Sequence, residues 1–184
     1  MKGELTALNY MQRMSGIATE TRKYQEAIKP YCASVTDTRK NTPGFRMFEK
    51  YAVMTGGARL HRFNLCDCAM IKDNHIKHAG SLTNAVEQIK KNLSHVHKIE
   101  VECDTFEQVK EAVGCGCDII MLDNMTVPEM KKCVDFIDHR AIVEASGNVT
   151  INTINEIAST GVDVISTSAI VARAKVIDLG LDIA

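Results

Sequence analysis

Six short runs of β-branched and aliphatic residues, each followed by a stretch with helical patterning, constrain this chain more than any other feature. The runs are Ser34–Thr38, Ala69–Ile71, Ile99–Glu102, Ile119–Leu122, Ile142–Glu144 and Val164–Ser166. Helices are predicted between and after them at about Phe45–Thr55, Leu82–Asn92, Thr105–Val113, Val127–Phe136 and Ile151–Ser159. Local punctuation supports these assignments. Ser81, Asp104-Thr105 and Thr126 supply N-terminal caps, Pro128 suits a first turn, and Gly114 and Gly161 follow helix ends. Strands alternating with helices cannot pair through tight hairpins, so they pair in parallel, with each helix making the return crossing. With 184 residues, 45% of them hydrophobic, there is material for one domain with a sizeable core. A further helix, Glu4–Lys29, precedes the first strand and stops at Pro30; Leu5, Leu8, Met11, Met14 and Ala18 form its apolar stripe.

Every run is followed by polar or charged residues: Arg39-Lys40, Lys72-Asp73, Glu102, Asp123-Asn124, Glu144 with Ser146-Gly147, and Ser166-Thr167-Ser168. Parallel strands bring their carboxyl ends to one face, so these groups converge on a cleft, in a barrel or in an open doubly wound sheet alike. The basic residues gather in Asp37–His78, as Arg39, Lys40, Arg46, His61, Arg62, Lys72, His75 and His78. Several cations at strand ends suit an anionic ligand, the plainer alternative being a solvated basic loop. That ligand should be small. Net charge is −1 with the signs interspersed, which gives no field for a nucleic acid.

Glu102 and Asp123 would repel an anion placed against them, but they suit vicinal hydroxyls and a magnesium ion; salt bridges to the basic cluster are the alternative. Ser146-Gly147-Asn148, just before Thr150 and the helix predicted from Ile151, offers backbone donors and a helix N-terminus to a phosphate, although a plain turn reads the same way. Ser166-Thr167-Ser168 is a second such loop. The seven cysteines lack the paired spacing of structural zinc and read as reduced thiols. No apolar run reaches the roughly 20 residues of a membrane span, so no membrane association and a cytoplasmic location are expected.

DTRKNTPGFRMFEKYAV, GGARLHR, MIKDNHI, IEVE, MLDNM, EASGN and GVDVIS, in this order from about Glu4 to Ala184, resemble quinolinate phosphoribosyltransferases. The resemblance implies an α/β fold, a parallel (β/α) barrel-like, partly open, TIM-barrel-related domain of seven strands. Residues 31–184 would form it, and residues 1–30 would be a helical segment connecting it to an N-terminal domain. It further implies the substrates quinolinate and 5-phosphoribosyl-1-pyrophosphate, with Mg²⁺ carried by the pyrophosphate and bound by Glu102 and Asp123. Arg39, His61, Arg62 and Lys72 would hold the two carboxylates of quinolinate. Lys40, Glu102, Asp123 and the loops Ser146-Gly147-Asn148 and Ser166-Thr167-Ser168 would hold the donor; Lys40, Lys72, Glu102 and Asp123 make up the expected catalytic set. A homo-oligomer is expected, because in the family an Arg from the other subunit's N-terminal domain completes the site.

Three positions depart from the family pattern: Leu5 stands where it has Arg, and Asn148 and Ser168 where it has Gly. Asn tolerates a left-handed backbone; Ser does so poorly. Two further readings remain open, a relative that binds anions without turnover and a structural subunit supporting a full-length partner.

Overall fold

The computed structural model describes residues 3–182, so the ends of the expected segments at Met1, Lys2, Ile183 and Ala184 lie outside it. In order the elements are α1 (Glu4–Ala27), β1 (Ser34–Thr36), α2 (Arg46–Thr55), β2 (Ala69–Ile71), α3 (Asp73–Ala79), α4 (Leu82–Asn92), β3 (Ile99–Cys103), α5 (Phe106–Gly114), β4 (Ile119–Asp123), α6 (Val127–Ile137), β5 (Ile142–Ser146), α7 (Ile154–Ser159), β6 (Val164–Ser166) and α8 (Ala169–Ala172). The six strands form one sheet in the order β1-β6-β5-β4-β3-β2. Every pairing is parallel. After α2 the chain comes back along the outer side of β1, where Arg59 N–H donates to Val35 O at 2.9 Å and Arg59 bridges Thr36 in parallel. This stub stands where a seventh strand would run. The sheet therefore has six strands and one bridge rather than seven strands, and among the described residues β1 and β2 do not pair.

Register and period-two alternation sort the strand residues into two faces. Val35, Ile71, Val101, Cys103, Ile120, Leu122, Val143, Ala145 and Ile165 are buried against the helices and form the core. The other face carries Thr36, Met70, Glu100, Glu102, Met121, Asp123, Glu144, Ser146 and Ser166, which the register places side by side across the sheet. That inner face is strongly polar, and its upper rim is the cleft described below.

Several boundaries differ from the sequence reading. β1 ends at Thr36, because Asp37 turns inward and is fully buried. β3, β4 and β5 each run one or two residues further than expected. α7 begins at Ile154, since Thr150–Thr153 closes on itself: Thr153 N–H donates to Thr150 O, and Thr150 N–H to Thr153 Oγ1 at 3.0 Å. α3 and α8 were not anticipated; α3 starts directly after β2, with Lys72 N–H donating to His75 Nδ1 at 3.0 Å.

In α1, Leu5 and Met11 of the apolar stripe are exposed, whereas Gly16, Ile17, Thr21 and Tyr24 are buried. The chain's last described residues strap back across this helix. Gln12 Nε2 donates to Leu179 O, and Ile177 N–H donates to Gln12 O. A side chain at Gly16 would collide with the Lys175 carbonyl, so only glycine permits that approach.

Candidate active site

At the carboxyl ends of the strands lies a cleft of about 590 Å³. Arg39, Lys40, His61, Arg62, Lys72, Glu102, Asp123, Ser146, Gly147, Asn148, Ser166, Thr167 and Ser168 all line it. Asn124, which follows Asp123 at a strand end, lines it as expected; Thr38, Met70, Met121 and Arg173 line it too, and sequence reasoning missed them. Arg46, His75 and His78 from the basic stretch are not among its lining residues. Arg46 Nε donates to Asn41 Oδ1, His75 caps α3, and His78 sits in that helix's last turn.

The cations differ in how they are held. Arg62 is braced, donating through Nη1 to Cys68 O at 2.9 Å and through Nη2 to Met70 Sδ at 3.1 Å. Its Nε, like Arg39 Nε, is buried and has no acceptor among the described residues. A buried donor left without an acceptor costs roughly 1–3 kcal/mol, so both positions favour an incoming anion. Lys72, half exposed, is paired with Glu102 across β2 and β3.

His61 is enclosed at both ring nitrogens. Its Nε2 lies 3.5 Å from Glu100 and 3.4 Å from Glu144, two buried carboxylates on the inner face of β3 and β5. Arg62 N–H reaches Nδ1 at 2.7 Å, a contact that suits only the neutral ring. Two buried negative charges are the stronger influence, because they need a cation nearby. Burial alone would lower the imidazole's pKa, but Glu100 and Glu144 more than offset it and raise it to about 9. His61 thus lines the cleft with Nε2 turned toward the two glutamates. The period-two spacing of Glu100 and Glu102 in Ile-Glu-Val-Glu was the sequence signal that could have found Glu100. The ligand atoms of this trio lie within 4.8 Å of one another, close enough to hold a metal ion.

Also lining the cleft, Asp123 has its pKa raised by burial first and by the Glu102 charge second. A hard cation beside these two carboxylates would relieve that repulsion, so the donor set fits Mg²⁺. Asn124 Nδ2 donates to Asp123 Oδ2 at 2.7 Å, Asn124 N–H to Ser146 O at 3.0 Å, and Asn148 Nδ2 to Asn124 Oδ1 at 3.1 Å. Asn124, Gly147 and Asn148 all have positive φ, at 53°, 96° and 49°. Asparagine therefore fills the left-handed position where the family has Gly. Ser168 has φ −79°, an ordinary right-handed backbone that needs no glycine.

Two details of the loops emerge. α7 proper starts at Ile154, and Ile154 N–H donates to Thr150 O in the helical i→i−4 pattern. Thr167 is committed within the fold, its N–H to Thr36 O and its hydroxyl to Val149 O. Ser166 Oγ, by contrast, is buried without a partner among the described residues.

No described helix is long and apolar enough to cross a membrane. The model of the quinolinate phosphoribosyl transferase C-terminal domain matches residues 17–182. Over 186 residues the chain is 48% identical to a probable carboxylating nicotinate-nucleotide pyrophosphorylase of Synechocystis sp., covering 100% of this chain and 63% of the relative. A probable enzyme of the same name from Bacillus subtilis is 40% identical over 183 residues, with the same coverage. The crystal structure of nicotinate-nucleotide pyrophosphorylase from Ehrlichia chaffeensis superposes with a TM-score of 0.93 at 43% identity, covering 98% of this chain and 65% of that one. The chain thus spans less than two thirds of the length of these relatives. Its sequence motifs, its parallel barrel-like sheet and these matches agree, and the chain belongs to the quinolinate phosphoribosyltransferase family, corresponding to its C-terminal domain.

Proposed function

We propose that this domain provides the catalytic cleft for transfer of phosphoribosyl from 5-phosphoribosyl-1-pyrophosphate to the ring nitrogen of quinolinate, a step of NAD biosynthesis. The bond from the anomeric carbon to pyrophosphate breaks as the carbon–nitrogen bond forms. The ring carboxylate next to that nitrogen then leaves as CO₂, a proton takes its place, and nicotinate mononucleotide and pyrophosphate remain. The observation that carries this reading is the pair of buried, acceptorless donors, Arg39 Nε and Arg62 Nε, on residues that line the same cleft as Asp123.

Arg39, Arg62 and Lys72 bind the two carboxylates and hold the ring in line with the anomeric carbon, so that positioning supplies much of the rate. His61, kept cationic by Glu100 and Glu144, adds positive field behind them. Glu102 and Asp123 accept from the ribose hydroxyls, Ser146–Asn148 and Ser166–Ser168 cradle the 5-phosphate, and Lys40 serves the pyrophosphate. Magnesium, arriving with the donor near Glu102 and Asp123, neutralises charge on the leaving pyrophosphate. Lys72 stands between the two halves, and its pairing with Glu102 is exchanged for a quinolinate carboxylate when both substrates are present.

The assembly is a homodimer or larger. Leu5, Tyr10 and Met11 of α1 and Met47, Tyr51 and Met54 of α2 are exposed and offer an apolar association surface. All seven cysteines are free, which suits a reducing compartment such as the cytoplasm.

Thermal unfolding with quinolinate, with donor plus Mg²⁺, and with neither tests the reading. Stabilisation by both ligands is expected, together with CO₂ release when they are combined. Binding without release would identify a non-catalytic relative. No stabilisation by either ligand would sink the assignment.

A further inference from the structure

We propose that Glu49 and Lys50, consecutive buried charges on α2, are positioning residues that hold the quinolinate side of the cleft in place; this rests on the reading of Arg39 and Arg62 as quinolinate ligands. Neither residue lines the cleft. Glu49 is 0% exposed and Lys50 1%, which is exceptional for charged side chains unless they are paired. Each holds one end of the same loop.

Lys50 Nζ donates to Asp37 Oδ2 at 2.6 Å and to His61 O at 2.9 Å. The other oxygen of Asp37 accepts His61 N–H at 2.8 Å. This closed ring of contacts ties the end of β1 to the segment carrying His61 and Arg62. Glu49 takes the far end: its carboxylate accepts from Thr42 N–H at 3.0 Å, Thr42 Oγ1 at 2.7 Å and Asn41 Nδ2 at 3.0 Å. Between the two anchors lie only Thr38, Arg39 and Lys40.

Arg13 of α1 extends the frame. Its Nη2 reaches Glu49 Oε1 at 3.1 Å and Val171 O at 3.0 Å, while Nη1 reaches Ala174 O at 3.3 Å. Glu49 is thereby connected to the end of α8, just before the cleft residue Arg173. A loop carrying two cations would ordinarily sample many conformations and lose affinity in ordering them on binding. Fixing both ends by buried charge-assisted bonds removes most of that freedom in advance.

Removing one member of a buried ion pair strands the other, so Lys50→Met alone could simply fail to fold. The informative variant is Asp37→Asn with Lys50→Met, which removes both charges at similar volume. Its unfolding temperature should stay near that of the parent. Its affinity for quinolinate should fall tenfold or more, whereas its affinity for ribose 5-phosphate, a probe of the opposite side, should stay within twofold. Amide hydrogen exchange in the same variant should accelerate at residues 38–42 and 59–62 and nowhere else in the sheet. Glu49→Gln should loosen the Asn41–Thr42 end alone. Parental exchange rates at both segments, or quinolinate affinity unchanged beside a parent that binds, would overturn the proposal. A parent that binds no quinolinate would overturn the functional reading instead, and the exchange measurement would still decide whether Glu49 and Lys50 fix the loop.

Discussion

Replacing Gly147 with Ala is a sharp test of the donor side of the cleft. The residue has φ 96°, where an L-residue is strained by about 1–2 kcal/mol. An added Cβ would also stand 2.8 Å from the backbone nitrogen of Asn124 and 2.5 Å from its Cγ. Asn124 cannot retreat freely, because its N–H is bound to Ser146 O and its side chain to Asp123 and Asn148. Overpacking against a held neighbour adds about 1–3 kcal/mol, and relaxation of an exposed loop recovers part of it. The expected total is about 2–4 kcal/mol, or a fall of about 5–15 °C in unfolding temperature for a domain of this size. Calorimetric unfolding measures the first quantity, and titration with donor plus Mg²⁺ the second consequence. Displacing Asn124 should disturb Asp123 and weaken donor binding at least tenfold while quinolinate binding holds. An unfolding temperature within 1 °C of the parent, together with unchanged donor affinity, would refute both the strain and the coupling of Asn124 to the site.

Arg39→Ala should weaken quinolinate far more than donor, by roughly 2–5 kcal/mol for a charge-assisted contact, as read by titration of each ligand; equal losses would count against the assignment. Glu102→Gln or Asp123→Asn should cut turnover and raise the Mg²⁺ concentration needed for half-maximal rate, with quinolinate binding retained or improved. His61 contributes to stability as a cation. Its folded pKa of about 9 exceeds the unfolded 6.5, so that contribution is complete below pH 6.5 and lost as pH rises through 9. It should reach at most ~3 kcal/mol, and His61→Gln should flatten the decline in urea-unfolding stability between those pH values.

The parallel strands and the cleft were legible because their signals are local. A β-branched run followed by Lys-Asp, Asp-Asn or Ser-Gly needs no knowledge of distant residues, and the parallel sheet brings the ends together. Register was less visible: Glu100 and Glu102 look alike in Ile-Glu-Val-Glu, yet one faces His61 and the other Lys72. Glu49 and Lys50 read in sequence as an ordinary charged turn of a helix surface. Their burial depends on Asp37, Thr42 and His61, which no periodicity of α2 encodes. The buried side of α1 was hidden for a similar reason, because the tail that crosses at Gly16 comes from the far end of the chain.

That tail has a consequence for how the protein is made. Gln12 is bound to Leu179, 167 positions away, and the strand that β1 pairs with is β6, the last of the six in sequence. At about 5–20 residues per second, translation leaves α1 waiting roughly 8–30 s before its cover arrives. Through that interval Ile17 and Tyr24, buried in the finished fold, lack the strap that crosses between them and the helix start. Ribosome-bound chains halted before Val164 should accordingly remain protease-sensitive at α1, even with β2 to β5 already synthesised.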